Sequence, residues 1–223
     1  MQNPWLKIPA ADYEAHMASP NVDQLRVLSA LFSEVLNEFL PTSVAVLGCA
    51  TGNGFEHVKP SGIDRVVGVD INPAYLEILK DRFLTKIKCL ELIEADISYP
   101  EFRIEPVSLI FAGLVFEFVN VSITLNNIVR CLRPGGVLVA ALQKQKSDSS
   151  LVTPTIYGSL RSLASIANLV SPDVFSNICT NEGLLLIKNR EVELKSGKSL
   201  FVGFYQKGAE PTNSADPKGL AAD

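Results

Sequence analysis

Two carboxylates stand where a folded chain could use them together. Asp70 closes the apolar run "VVGVD" and Asp96 closes "LELIEAD", and a glycine-rich stretch, "GCATGNG" from Gly48 to Gly54, precedes both. A glycine loop after a buried strand lets backbone approach a ligand closely, and the helix that follows offers free N–H groups. An acid at the end of the next strand can accept hydrogen bonds from two ribose hydroxyls. Asp70 follows Gly52 by 18 residues, which is about that placement. Either acid alone could be a solvated strand end or a helix cap. Three such features at successive strand ends predict a nucleoside site.

The elements that would position them follow from hydrophobic periodicity. Leu25, Leu28, Phe32, Val35, Leu36 and Phe39 share one face of a helix over about 22–39, with Ser19 and Pro20 as its start signal and Pro41 as its stop. "VAVLG" is short and branched without polar alternation, as a strand buried on both faces must be. "DRVVGVDIN", "CLELIEADI", "VSLIFAGLV" and "VLVAALQ" repeat that character. Between them, "NPAYLEILKDRF" carries a cap at Asn72 and a proline in its first turn, and "VSITLNNIVRCLRPGG" is a helix closed by proline and glycine. "SDSSLVTP" is a polar loop, "IYGSLRSLASIANLV" a small-residue helix and "SPDVFSNICTNEG" a further short helix. "LLLIKNREVEL" and "SLFVGFYQKG" form a hairpin across Lys195–Lys198. Strands alternating with helices imply a doubly wound α/β sheet with parallel pairing and right-handed crossovers.

Composition narrows the partners. The chain has 223 residues, nearly half of them apolar, and a formal charge of −4. No run of lysine and arginine offers a surface for nucleic acid, and no apolar run reaches membrane-spanning length. Cys49, Cys89, Cys131 and Cys179 lack zinc-site spacing, so free thiols in a cytoplasmic setting are expected, with no metal. "MQNPWLKIPAADYE" carries a proline and acids where an export signal needs an apolar core. The stretch 209–223 lacks large apolar residues, which predicts a disordered tail.

In order and spacing, "VAVLGCATGNG", "VVGVDIN", "IEADI", "LIFAGLVFEFV" and "VRCLRPGGVLVAAL" resemble the signature segments of the class I S-adenosylmethionine-dependent methyltransferases, small-molecule type. The resemblance spans about Ser43 to Gln143. It implies a Rossmann-like, doubly wound seven-stranded sheet, mostly parallel with an antiparallel C-terminal strand, over residues 42–208. It also implies a helical lid over residues 1–41. Gly48, Cys49, Ala50 and Gly52 would border the methionine part of S-adenosylmethionine. Asp70 would hold the ribose with Ile71 against the adenine, and Asp96 would accept from the adenine amino group with Ile97 on the ring's other side. Gly113 and Leu114 would line the methyl-transfer face, and S-adenosylhomocysteine would be the product. Tyr13, Met17 and Tyr157 are expected around a small-molecule acceptor.

Two positions depart from the family pattern: Val46 replaces an acid and Ala50 a glycine. Losing one charge-assisted hydrogen bond costs about ten- to a hundredfold in affinity. A silent binding or regulatory protein of the same fold is therefore the alternative. A short-chain-type NAD(P) oxidoreductase is the less favoured reading, since Tyr157-Gly-Ser-Leu-Arg161 puts arginine where that chemistry needs lysine.

Methyl transfer from a sulfonium is an in-line displacement needing alignment and water exclusion, with a base only for poor nucleophiles. Glu117 in "LVFEFVN" is a candidate base and equally a helix N-terminal acid. His16 in the lid is a second candidate, against the more common role of a packed histidine.

Overall fold

The computed structural model describes residues 3–59, 62–144 and 153–209. Seven strands form one sheet: β1 (Ser43–Leu47), β2 (Arg65–Asp70), β3 (Leu90–Glu94), β4 (Val107–Gly113), β5 (Leu132–Lys144), β6 (Leu184–Glu193) and β7 (Ser199–Lys207). Their order is β3-β2-β1-β4-β5-β7-β6, with β1 to β5 parallel and β7 antiparallel between β5 and β6. This is the Rossmann-like doubly wound sheet that the motif order implied. Strand order reverses between β1 and β4, so the carboxyl ends of these strands open the crevice where such sheets bind ligands.

Both sheet faces are covered, which is why the inner strands read as continuous apolar runs. Along β1, Val44 and Val46 enter one core with Phe32, Leu36 and Phe111, while Ala45 and Leu47 enter the other with Leu125 and Ile128. Helices α2 (Gln24–Phe39) and α3 (Pro73–Phe83) cover the first face; α4 (Val121–Cys131) and α5 (Pro172–Asn181) cover the second.

Several boundaries differ from the sequence expectation. Ser19 and Pro20 do not start α2. A separate helix α1 (Ala10–Ala18) precedes them, and Ser19 caps its C-terminus through its backbone N–H and hydroxyl to the His16 carbonyl. The segment read as a small-residue helix forms a 3-10 stretch, Gly158–Ser165, whose apolar side chains are too few for a longer helix to bury. Strand β3 ends at Glu94, so Asp96 lies just beyond it. "LRPGG" opens β5 rather than closing α4, with the register shift between Val107 and Leu109 accommodating it. Part of "SDSSLVTP" and all but the first residue of 209–223 lie outside the described residues.

Helix α1 and the 3-10 segment Pro4–Lys7 lie across the carboxyl edge of the sheet. Glu14 accepts from the Thr51 hydroxyl and from Arg82 (2.5 Å), which ties α1 to the glycine loop and to α3. The Ser159 hydroxyl donates to Asp12 (2.5 Å), which ties it to the segment before α5. The Asn72 amide donates to the Trp5 carbonyl at 2.9 Å. The lid is thus fastened to both sides of the crevice.

Candidate active site

The glycine loop owes its shape to four positive-φ residues, Gly48 (65°), Ala50 (46°), Gly52 (93°) and Gly54 (91°). Gly48 and Cys49 donate to the Val69 carbonyl at 2.9 and 3.1 Å, and Ala50 donates to Asp70 Oδ2 at 2.8 Å. Asp70 Oδ1 accepts from the Asn72 backbone N–H at 2.9 Å. The carboxylate therefore stitches the end of β2 to the loop after β1, and each oxygen retains further acceptor capacity. Burial pushes the Asp70 carboxyl above the usual range, while the Asn72, Ala50 and Ile71 N–H groups pull it back.

Above these groups lies a cavity roofed by the lid. Of the residues singled out from the sequence, Gly48, Ala50, Asp70, Ile71, Asp96, Ile97, Gly113, Leu114, Glu117, His16, Tyr13 and Met17 line it. Three do not. Cys49 is buried beneath the loop with its sulfur toward Gly68, and burial pushes its thiol up. Gly52 faces α3, where an added Cβ would meet Leu79 and Phe83 at 2.9 Å. Its role is close helix packing. Tyr157 sits in a satellite cluster with Ile8, Leu160 and Leu163, and Arg161 is exposed, so no Tyr–Arg dyad enters the cavity.

Asp96 and Asp70 occupy neighbouring strand ends, since Asp70 registers with Glu94 on β3. Asp96 Oδ1 is engaged by the Ser98 backbone N–H and hydroxyl. On the far side of Gly48, an added Cβ would meet Val115 at 3.1 Å, so any side chain there would crowd the Val115 side chain. These features fit the nucleoside and methionine parts of S-adenosylmethionine. Asp70 and Asp96 would take its hydroxyl and amino donors, and Gly48 and Ala50 would take its chain; when bound, the cofactor supplies an electrophilic methyl group. Val46 contributes nothing there, because its side chain faces the first core.

The other half of the cavity is built from the ends of β4 and β5 and from the lid. Glu117, in the 3-10 turn Phe116–Phe118, is 5 % exposed. Its Oε1 accepts from the Gln143 backbone N–H at 2.7 Å, and its Oε2 is buried without a partner. Burial pushes its carboxyl up to about 7, against the pull of the Gln143 N–H. The Gln24 side chain reaches the Gln143 side chain at 3.3 Å, closing the floor. Burial lowers the His16 imidazole pKa, and the charge of Lys198 lowers it further, which favours the neutral ring. Trp5 packs edge-on against Tyr13 (6.0 Å) and Phe118 (5.0 Å), and Tyr13 lies against Tyr75 (5.6 Å).

Among the described residues, two of the four non-glycine residues with positive φ, Ala50 and Leu114, line this cavity. Left-handed backbone at such residues costs on the order of 1–2 kcal/mol and concentrates at functional sites. Sequence reasoning missed Trp5, Gln24, Tyr75, Phe118, Gln143, Leu160 and Leu163. Gln143 carried a readable signal, a polar residue at the end of the otherwise apolar run of β5; Gln24 is a polar residue at the start of an amphipathic helix, and the rest are aromatic or aliphatic residues indistinguishable in sequence from core.

Comparison with known proteins agrees with this geometry. Residues 45–140 match the family model described as a methyltransferase domain. No curated protein matches the chain in sequence. Among solved structures, the fold is similar to the N-methyltransferase NodS of Bradyrhizobium japonicum in complex with S-adenosylhomocysteine. That match has 19 % identity, covers 93 % of each chain and gives a TM-score of 0.59. It is also similar to the magnesium protoporphyrin IX methyltransferase of Synechocystis with bound S-adenosylhomocysteine (11 %, 84 % of each chain, 0.63). The 4+2-cyclase SpnF shares the fold as well (10 %, 81 % of this chain and 82 % of that one, 0.64). The chain has the fold of the class I S-adenosylmethionine-dependent methyltransferases, and the matched stretch 45–140 spans β1 to β5 of that fold.

Among the described residues, no helix is long and apolar enough to cross a membrane, and no group of three or more His, Cys, Asp and Glu gathers as a metal site.

Proposed function

We propose that the protein transfers a methyl group from S-adenosylmethionine to a small molecule enclosed beneath the lid, releasing S-adenosylhomocysteine. One observation carries this reading: a single roofed cavity joins the strand-end acids Asp70 and Asp96 to Glu117, whose Oε2 is buried and unpaired. Asp70 and Asp96 bind the nucleoside, the backbone from Gly48 to Ala50 borders the methionine chain, and Glu117 receives a proton from the acceptor. His16, Tyr13 and Met17 close the acceptor side and exclude water. The cavity beneath α1 and the chain's net charge of −4 favour a small molecule over nucleic acid or membrane. The four unpaired cysteines suit the cytoplasm.

Calorimetry with S-adenosylmethionine and S-adenosylhomocysteine tests the reading. Binding that weakens on the order of a hundredfold in Asp70→Asn is expected; absence of binding at millimolar ligand overturns it. The burial of Val46 in the core supports a second reading, a binding protein of this fold without turnover, since that position presents no acid to the cofactor's amino end. Cofactor binding without methyl transfer to any acceptor would favour that reading.

A further inference from the structure

We infer that the acceptor is an amine on an apolar body, held by Glu117 as its ammonium and methylated on nitrogen. This rests on the methyl-transfer reading and adds the substrate class. The described residues that line the cavity include Asp70, Asp96 and Glu117 but no lysine or arginine. Lys198, whose charge acts on His16, donates to the hydroxyl of the lining residue Thr153 (2.9 Å). A carboxylate or phosphate substrate would meet three carboxyl groups there and no lysine or arginine among the described lining residues.

Asp70 and Asp96 sit at the β2 and β3 ends, where the nucleoside lies in the proposed reading. Glu117 remains for the acceptor. Its buried Oε2 lacks the donor that a buried carboxylate oxygen ordinarily has. An ammonium supplies both the charge and the hydrogen bond. Around it, Trp5, Met17, Phe118, Leu160 and Leu163 offer an apolar wall, and the Trp5 and Phe118 rings add electron-rich surfaces suited to a cation.

The chemistry balances. A protonated amine has no lone pair, so one N–H proton passes to Glu117 Oε2, and the freed pair forms the N–CH3 bond as the methyl–sulfur bond breaks onto sulfur. The products are an N-methylammonium and a neutral thioether, and Glu117 returns its proton to solvent on release. A carboxyl whose pKa lies near 7 accepts that proton and gives it back near neutral pH.

The test uses three probes of one shape, phenethylamine, phenethyl alcohol and phenylacetate, titrated calorimetrically into the protein saturated with S-adenosylhomocysteine. The amine is expected to bind at least about tenfold tighter than the alcohol, and phenylacetate weakest, as for a charge-assisted hydrogen bond. This comparison needs no variant. In Glu117→Gln the amine's advantage over the alcohol should fall to within about threefold, because the alcohol keeps a hydrogen-bond partner and the amine loses its counter-charge. Phenylacetate binding as tightly as the amine overturns the inference. So does an amine preference that survives Glu117→Gln, or saturation by none of the probes at millimolar concentration. Failure of S-adenosylhomocysteine to bind instead overturns the methyl-transfer reading. The same three titrations on the free protein then decide the amine preference by itself.

Discussion

The two halves of the cavity are made differently. The half proposed to take the nucleoside comes from one contiguous stretch, β1 through β3, in which Asp70 ends β2 and Asp96 lies just beyond β3, each fixed by backbone N–H groups. The half proposed to take the acceptor is assembled from the lid, the ends of β4 and β5 and the 3-10 segment at 158–165, with the buried Glu117 carboxyl held at Oε1 by the Gln143 backbone N–H. Asp70 is thus anchored as part of the fold, whereas Glu117 is kept partly unsatisfied. Stability and reactivity separate along that line: the first half resists change in its geometry, and the second stores electrostatic cost that a ligand can relieve.

The largest expected effect breaks the first half. Asp70→Ala removes the acceptor of two buried N–H groups, Ala50 and Asn72, and should lower folding stability by about 2–6 kcal/mol, each orphaned donor costing about 1–3 kcal/mol. Urea denaturation monitored by far-UV circular dichroism measures it; a loss below about 1 kcal/mol would show that the loop does not depend on this acid.

Glu117 should behave in the opposite sense. Its folded carboxyl titrates near 7 against 4.5 for an ordinary glutamate. Below both values the folded and unfolded carboxyls are protonated and no cost exists. As pH rises between them, only the unfolded chain ionises, so stability falls, and the full cost is present above 7. Glu117→Gln abolishes this dependence. The stability difference between variant and wild type should therefore move in the variant's favour by about 2–3 kcal/mol from pH 5 to pH 8. The change with pH is diagnostic because the amide's own packing cost is constant. A flat difference would place Glu117 in a wetter site than the cavity provides.

These halves also differ in how far the sequence revealed them. Asp70, Asp96 and the glycine loop were legible because strand-end position and spacing are local properties, repeated in register along a parallel sheet. Val46 departs from the family pattern, and its side chain packs in the core. The other half was legible at Gly113, Leu114, Glu117, His16, Tyr13 and Met17, all of which line the cavity. Tyr157 was expected in the pocket, but its neighbours Leu160 and Leu163 line the cavity instead, since the segment forms a 3-10 stretch and presents different residues inward. Trp5 reaches the cavity only through tertiary closure, and no local pattern announces it. Ser19 misled for a related reason: a serine–proline pair serves a helix end as readily as a helix start.

A smaller effect sharpens the comparison at Ala50. Its φ of 46° is strained for any residue with a Cβ, yet its N–H is what binds Asp70. Ala50→Gly keeps that donor and relieves the strain, at the expense of a more flexible unfolded chain. The two terms, on the order of 1–2 and 0.4–1 kcal/mol, leave a net stabilisation of about 1 kcal/mol. A destabilised variant would mean that the alanine methyl packs productively against the lid.

The smallest effect concerns the joint between the halves. Glu14 accepts from Arg82 and Thr51, so α1 is latched to the glycine loop by a charge pair that is half exposed. Arg82 holds the Glu14 carboxyl below its ordinary range, so the latch stays charged at neutral pH. Exposed pairs contribute about 0.2–1 kcal/mol and are screened by salt. Arg82→Ala should leave the sheet intact and loosen the lid. Trp5 is the sole tryptophan and packs in that lid against Tyr13 and Phe118, which makes its fluorescence a direct reporter. Acrylamide quenching of Trp5 should increase modestly in the variant, and the difference from wild type should shrink at molar salt, where the wild-type pair is itself screened. Unchanged quenching would mean that Asp12–Ser159 and Asn72–Trp5 suffice to hold the roof. Closure would then be governed from the acceptor side rather than from the glycine loop.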